Sequence, residues 1–470
     1  MELKRGQSFL RRLQTLNASM TEGSLWRGLI VFSLPLMASN LLQVLFNMAD
    51  VAVVGRFAGS LSLGSVGSTT ILVSLFTALL IGMGSGVNVL TARHLGAGHE
   101  EPIRLTVHTS FLVSVIYGAA LMLVGELLSE PVLRLIGTKD ELMAGACLYF
   151  RLYLLGLPAM AVYNYGNAVF SAAGDTRSPL LFLSVAGAVN VAMNLFFVIV
   201  CRMDVAGVAL ASVLSQYLSA FLIVRAQTRA RTVWRLERRG LRIHAPSARQ
   251  VLGLGIPAGI QNAIFAVANL FIQSGVNSFS AEMVSGNAAA SNADSLVYDV
   301  MAAVYTGCSS FMGQNYGAGK KQRVMRSYLI SLLYSFLAGL ILGLALYLNG
   351  PLFLSLFTAD PAVIECGMSK LAIMSLSYCV SAFMDDTIAA SRALGKTLVP
   401  MIMVVLGSCV FRVAWIYTVF AAYHTIASLY LLYVCSWTLT AAMEIPYFLH
   451  TYRQILPEGR TTAPKEARSV

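Results

Sequence analysis

The chain has 470 residues, 57% of them hydrophobic and only 12% charged, with mean hydropathy +0.70 and a net charge of +11. This composition falls outside that of water-soluble domains and inside that of proteins that cross a membrane many times, which excludes a soluble globular enzyme or a disordered scaffold. The seven cysteines (147, 201, 308, 366, 379, 409 and 435) are scattered without a CxxC pair, so they predict neither a disulfide nor a zinc framework.

A membrane-crossing helix needs roughly 20 apolar residues to traverse about 30 Å of hydrocarbon. In chain order, such stretches fall at 27–52, 61–94, 104–126, 143–170, 178–200 and 205–226, then at 250–276, 285–316, 323–348, 362–391, 398–420 and 426–449. The first run is too long for a signal-peptide core and is expected to persist as span 1. The expected domains are an N-terminal tail (1–26), an N-lobe (27–226), an Arg-rich linker (227–249), a C-lobe (250–450) and a C-terminal tail (451–470).

The second half repeats the first. Pro35 and Pro257, and Asn40 and Asn262, stand 222 positions apart; after a one-residue slip, 221 separates Gly86 from Gly307, Gly96-Ala97-Gly98 from Gly317-Ala318-Gly319, Gly174 from Gly395, Thr176 from Thr397 and Pro179 from Pro400. Six spans per repeat make the copies run the same way, related by an axis along the membrane normal, and such repeats meet at a transport site. The fold class expected is an all-α integral membrane protein, twelve transmembrane helices in two pseudo-symmetric six-helix bundles.

Most of the 33 basic residues lie in the tails, in the linker and in the loops on the same side, whereas Arg56, Arg134, Lys139 and Arg202 face the other way. The positive-inside rule then puts both termini and the linker in the cytoplasm and the chain in the cell membrane. The positive charge is a topology signal, and no nucleic-acid partner is expected.

Ionisable groups within hydrocarbon cost about 2.5 to 3.5 kcal/mol each on insertion scales, so each demands a partner, a wet cavity or a task. In span 1, Asn40, Gln43, Asn47 and Asp50 follow a 3, 4, 3 spacing and share one helical face; in span 7, Asn262, Asn269 and Gln273 do likewise without an acid. Two such stripes predict a wet substrate cavity between the lobes, dry interhelical glue being the other reading. Asp50 is the candidate cation carrier, for a proton or a sodium ion, with Asn190 and Asn194 one turn apart in span 5 and Ser212 in span 6 as neighbouring oxygens. The C-lobe offers Asp294 and Asp299 in span 8, adjacent Asp385 and Asp386 in span 10, Glu444 in span 12 and Arg412, the basic group set clearly inside a span. Asp299, Asp385 and Asp386 join the candidate cavity residues, at most one of the adjacent pair facing it squarely. Arg412 and Asp299 come at similar depths and are expected to pair; Glu444 is expected to reach the surface. The repeated Gly-Ala-Gly predicts helix ends at tight turns, no Walker lysine following it. Pro35, Pro158 and Pro257 lie inside spans as kinks. No Ser-His-Asp set, Cys-His pair or HExxH occurs, so neither enzyme chemistry nor a cofactor is expected.

These residues carry a resemblance. SLPLMASNLLQVLFNMADVAVVG in span 1, LTARHLGAG after span 2, FSAAGDTRSPL before span 5, GVALASVLSQ in span 6, and the repeats GIPAGIQNAIF, MGQNYGAG and SRALGKTLVP together resemble the multidrug and toxic compound extrusion family, MATE, over residues 20 to 450. The resemblance implies a two-lobe antiporter that exports organic, often cationic or amphipathic, compounds against sodium ions or protons. It implies that Asp50 is the coupling acid, with Asn190 and Ser212 at the positions of its oxygen partners, so a sodium ion would sit at Asp50, Asn190 and Ser212. The chain departs from the family in having Asn194 where many members have an aspartate, Ser212 where many have threonine, and Phe265 and Ala266 where one branch has a glutamate. Asp50 thus stands among neutral ligands. The expected partners are a small organic cation and the lipid bilayer, with the protein a monomer; the alternatives are a flippase of lipid-linked precursors and a receptor that binds without transport.

Overall fold

The computed structural model describes residues 20–455, the side chain of Ser60 apart, and among them it contains helices and no strand. The N-lobe comprises α1 (Leu25–Ala58), α2 (Gly59–Ala97), α3 (Glu100–Leu135), α4 (Asp140–Leu154 and Leu157–Ala172), α5 (Arg177–Val200) and α6 (Asp204–Arg229). The C-lobe comprises α7 (Ala245–Val276), α8 (Ala281–Gly317), α9 (Lys321–Leu348), α10 (Pro361–Met374 and Tyr378–Ala393), α11 (Leu398–Tyr423) and α12 (Ile426–Ile455). Nine of these are single helices long and apolar enough to cross a membrane, and the two bent pairs, α4 and α10, raise the total to eleven. The twelfth, α8, is as long as the others and more polar, because Asn287, Ser291, Asp294 and Asp299 lie along it. The expected tails lie mostly outside the described residues.

Two spans expected to be continuous are broken, α4 by 44° and α10 by 52°. In α4, Pro158 has no N–H for the carbonyl of Leu154, and the chain bends at Leu155 and Gly156. The break in α10 has no proline. There Ser377 returns its hydroxyl to the carbonyl of Ile373 at 2.5 Å, the local competition by which serine loosens a helix. In addition, α3 runs past 126 to Leu135.

The duplicated turns fold alike. Gly98 and its copy Gly319 close helices at φ +70° and +69°, and Gly174 and Gly395 at +91° and +78°, conformations that favour glycine. The wide π-turns are concentrated near polar residues: Val54–Ala58 follows Asp50, Phe196–Val200 follows Asn194, and Val405–Val410 precedes Arg412.

The lobes meet along one half of their length, the half nearer the chain termini. There α2 lies on α7 with Gly86 against Gly255, where an added Cβ would come within 2.7 Å of the Gly255 nitrogen; the copy, Gly307 of α8, faces α1, where an added Cβ would come within 3.0 Å of Ser33 Oγ. Gly96 packs on the Gln314 backbone while its counterpart Gly317 packs on that of Arg93, a reciprocal contact that only a two-fold relation produces. Between the same two helices Ser310 Oγ donates to Asn88 Oδ1 at 3.1 Å, a cross-lobe bond offset by one residue from the 221 register. Leu25, Leu29, Phe32 and Leu36 of α1 pack with Ala303 and Phe311 of α8 in a cross-lobe apolar cluster. Ahead of α1, the carbonyls of Met20, Glu22 and Gly23 accept from Arg323 and that of Thr21 from Lys320, tying the chain start to the C-lobe. Toward the far side, the exposed face of α1 includes Gln43, Leu45, Asn47 and Met48. The molecule is a two-lobed wedge closed on the terminal side.

Candidate ion and substrate sites

In the far half of the N-lobe, α1, α5 and α6 bring Asp50, Asn190, Asn194 and Ser212 together. Asn194 Nδ2 donates a short hydrogen bond to Asp50 Oδ1 and reaches Asn190 Oδ1 at 3.3 Å; Ser212 Oγ donates to Asp50 Oδ2 at 3.4 Å. Asn190, Asn194 and Ser212 are buried, while Asp50 keeps an open edge. Asn194 Oδ1 is buried with no hydrogen-bond partner. A carboxylate, amide oxygens and a hydroxyl are the hard donors that sodium prefers, and an unmatched acceptor among them fits a cation. Tyr149 and Tyr153, stacked at 6.1 Å, belong to the apolar cluster that includes Val53 and Val54 just beyond Asp50.

The polar stripes divide between two surroundings. Asn40 reaches across to the C-lobe, Nδ2 donating to the Asp299 carbonyl at 2.9 Å, whereas Gln43 and Asn47 farther along are exposed. On α7, Asn262 is half-buried and Asn269 and Gln273 are exposed; Gln273 Nε2 donates to Asn277 at 2.8 Å.

In the C-lobe the structure corrects several expectations. Arg412 does not pair with Asp299. It donates from Nε to Ser436 at 3.0 Å and from Nη1 to Asn269 at 3.5 Å, with its guanidinium 4.6 Å from the Tyr433 ring centre and 5.5 Å from that of Phe265. The two adjacent acids of α10 part company, as 100° of helical rotation requires. Asp385 is half-buried and accepts from Tyr298 at 3.0 Å, while Asp386 is fully buried, away from the cleft, and accepts from Ser331 of α9 at 2.5 Å. Glu444 is fully buried, not at the surface, and neither carboxylate oxygen has a partner.

Arg412 is also not the only basic group set deep in a span. Lys370 of α10 is 5% exposed at its side chain; its Nζ lies 2.7 Å from Asp294 Oδ2 and donates to Ser291 at 2.8 Å, while Tyr378, beyond the break, donates a short bond to Asp294 Oδ1. Sequence alone could have signalled it, since Lys370 stands well inside the apolar run 362–391 and an uncompensated ammonium there demands an acid.

Two copies of one family model, MatE, match the chain at residues 35–195 and 257–418, beginning 222 positions apart. The chain belongs to the MatE family. Among relatives of this MatE protein, it is 26% identical over 366 residues to the "Probable multidrug resistance protein YpnP" of Bacillus subtilis (76% of this chain, 80% of the relative). It is 24% identical over 362 residues to the "FAD transporter" of Shewanella oneidensis (75% and 78%). A crystal structure of MATE in complex with MaL6 superposes with TM-score 0.87 at 21% identity, covering 94% of this chain and 99% of that one. That likeness gives this chain the same fold.

Proposed function

We propose that this protein is a cation-coupled antiporter that exports small organic compounds, cationic or amphipathic in character, by alternating access between its lobes. The observation that carries this reading is the Asp50 cluster: an intramembrane carboxylate with an open edge, ringed by Asn190, Asn194 and Ser212, in the half where the lobes do not meet. The basic residues on the terminal side orient both termini and the linker to the cytoplasm, in the cell membrane, so the wedge described here is the outward-open form. A proton or sodium ion arriving from outside reaches Asp50 through that opening. Asn194 and Ser212 hold the carboxylate in place, and the unmatched Asn194 Oδ1 supplies a further oxygen for sodium. Neutralising Asp50 removes the charge that holds an organic cation, so cation and substrate disfavour each other, as coupled exchange requires. The protein works as a monomer without a cofactor, as each lobe already supplies one wall of the cleft.

The flippase alternative gains no support from Lys370, because Asp294 neutralises it. A flavin nucleotide, suggested by the Shewanella relative's name, belongs among the competitors to be tested. The test is uptake of a fluorescent organic cation into inverted vesicles under a sodium gradient and a proton gradient imposed separately. Gradient-driven uptake by the native chain that drops to background in Asp50→Asn supports the reading; undiminished uptake in Asp50→Asn overturns it, and binding without uptake under either gradient favours the receptor.

A further inference from the structure

The segment between the lobes is not a loose tether. Trp234 and Leu236 are buried in the terminal-side core of the N-lobe, Trp234 with its ring centre 4.9 Å from that of Phe170. Gln227 Nε2 donates to the Trp234 carbonyl, the Glu237 N–H donates to His108 Nε2 at 3.0 Å, and Thr109 Oγ1 donates to the Arg242 carbonyl while accepting the His244 N–H. On this pinned frame every linker arginine (229, 231, 235, 238, 239, 242 and 249) is exposed, as is Arg225 just before it. Ion pairs engage only two arginines at this face among the described residues, Arg104 with Glu237 at 2.9 Å and Arg242 with Glu101 at 3.7 Å. Among the described residues, Arg231, Arg238 and Arg239 meet no carboxylate. Between linker and α3 lies a cavity of about 270 Å³ lined by Glu101, Arg104, Leu105, His108, Arg239, Gly240 and Arg242. Leu241 and Ile243, 37% and 53% exposed, stand beside it.

Topology alone requires positive charge near the span ends, but it does not require a folded loop, a cavity or exposed leucine and isoleucine among the arginines. We propose that the linker is a docking surface for anionic phospholipid headgroups of the bilayer in which the protein sits. The phosphate enters between Arg239 and Arg242, and Leu241 and Ile243 meet the upper acyl chains; guanidinium groups suit phosphate by their paired N–H donors. The occupant is a lipid and not a soluble anion because the loop seats on α3 at residues 104–109, where the apolar run of that helix begins, and because apolar side chains flank the charge.

The experiment uses the full-length protein in dodecyl maltoside, titrated with phosphatidylglycerol, phosphatidylcholine or inorganic phosphate while its melting midpoint is followed. Phosphatidylglycerol is expected to raise the midpoint with at least tenfold higher apparent affinity than phosphatidylcholine, an advantage that shrinks in 1 M salt. At about fivefold per arginine near an anionic surface, the triple variant R231Q/R238Q/R239Q should bind phosphatidylglycerol about 100-fold more weakly, and R239Q alone about fivefold. The lipid-free midpoint should stay unchanged, as these side chains hold nothing together. Unaltered affinity in the triple variant, an equal response to phosphatidylcholine, or the same shift from phosphate alone would each overturn the proposal, whatever the outcome of the transport assays.

Discussion

Lys370 and Tyr378 stand on opposite sides of the break in α10 and hold the two oxygens of one carboxylate, Asp294 of α8. The bend is thus clamped from a neighbouring helix. At the equivalent break in α4 the ties are weaker: Tyr217 donates to the carbonyl of Leu155 at 3.1 Å, and no ion pair spans the bend among the described residues.

Removing the clamp leaves an ammonium buried without its counter-charge. Asp294→Asn is expected to destabilise the protein by about 3 kcal/mol, since breaking a buried pair is worse than replacing both partners. The double variant D294N/K370M should recover most of that loss. Denaturation midpoints of the singles and the double, combined in a cycle, measure the coupling; additive losses would show that the pair does not act as a unit.

Ser212 donates one hydrogen bond to Asp50. On the proposed reading with sodium as the coupling ion, Ser212→Ala should need about tenfold more sodium for half-maximal rate, the worth of one hydrogen bond to a charged group. Sodium titration of vesicle uptake checks this, and an unchanged half-saturating concentration would remove Ser212 from the cation site.

Gly86 has no room for a side chain, its added Cβ lying 2.7 Å from the Gly255 nitrogen and 2.8 Å from the Val251 carbonyl. Gly86→Val should wedge the lobes apart on the terminal side. In a cysteine-free background with a thiol placed at Ser33, which is buried in the same seam, the glycine-to-valine change is expected to turn a protected thiol into a reactive one. Protection that persists would mean the seam tolerates the added volume.

Asn88 supports the lobe seam by accepting from Ser310 and donating to the Ala168 carbonyl at 3.1 Å, all of it buried. Asn88→Ala should destabilise by about 1 to 3 kcal/mol through the orphaned hydroxyl and carbonyl, and adding Ser310→Ala should cost less than a second full penalty. Melting midpoints of the three variants decide.

Much of this was legible in the residues. Apolar runs located all twelve spans because a bilayer imposes one length and one solvent on each of them. Pro158 marked a kink that the α4 break confirms in position, whereas the α10 break has no such marker and rests on Ser377 and the Asp294 clamp. The 3, 4, 3 spacing placed Asn40 and Asp50 on one face, but not that Asn40 crosses to the C-lobe while Asp50 turns to Asn194. Depth counting brought Arg412 and Asp299 level, yet two residues at one depth can lie on different sides of a bundle, and Arg412 instead stacks on Tyr433. Glu444 was misplaced for the same reason: distance along a helix says nothing about which way the side chain points.

The Asn88 and Ser310 contact has a consequence for how such a molecule can arise. In two separate copies of a single bundle, every contact across the seam would have to be made twice. Here the hydrogen bond is made once, because at a separation of 221 the counterpart of Asn88 is Ser309 and that of Ser310 is Val89, which has no polar group to offer. Covalent fusion released the seam from having to be its own mirror, and the same release lets one lobe carry Asp50 while the other carries a lysine bound to its own aspartate.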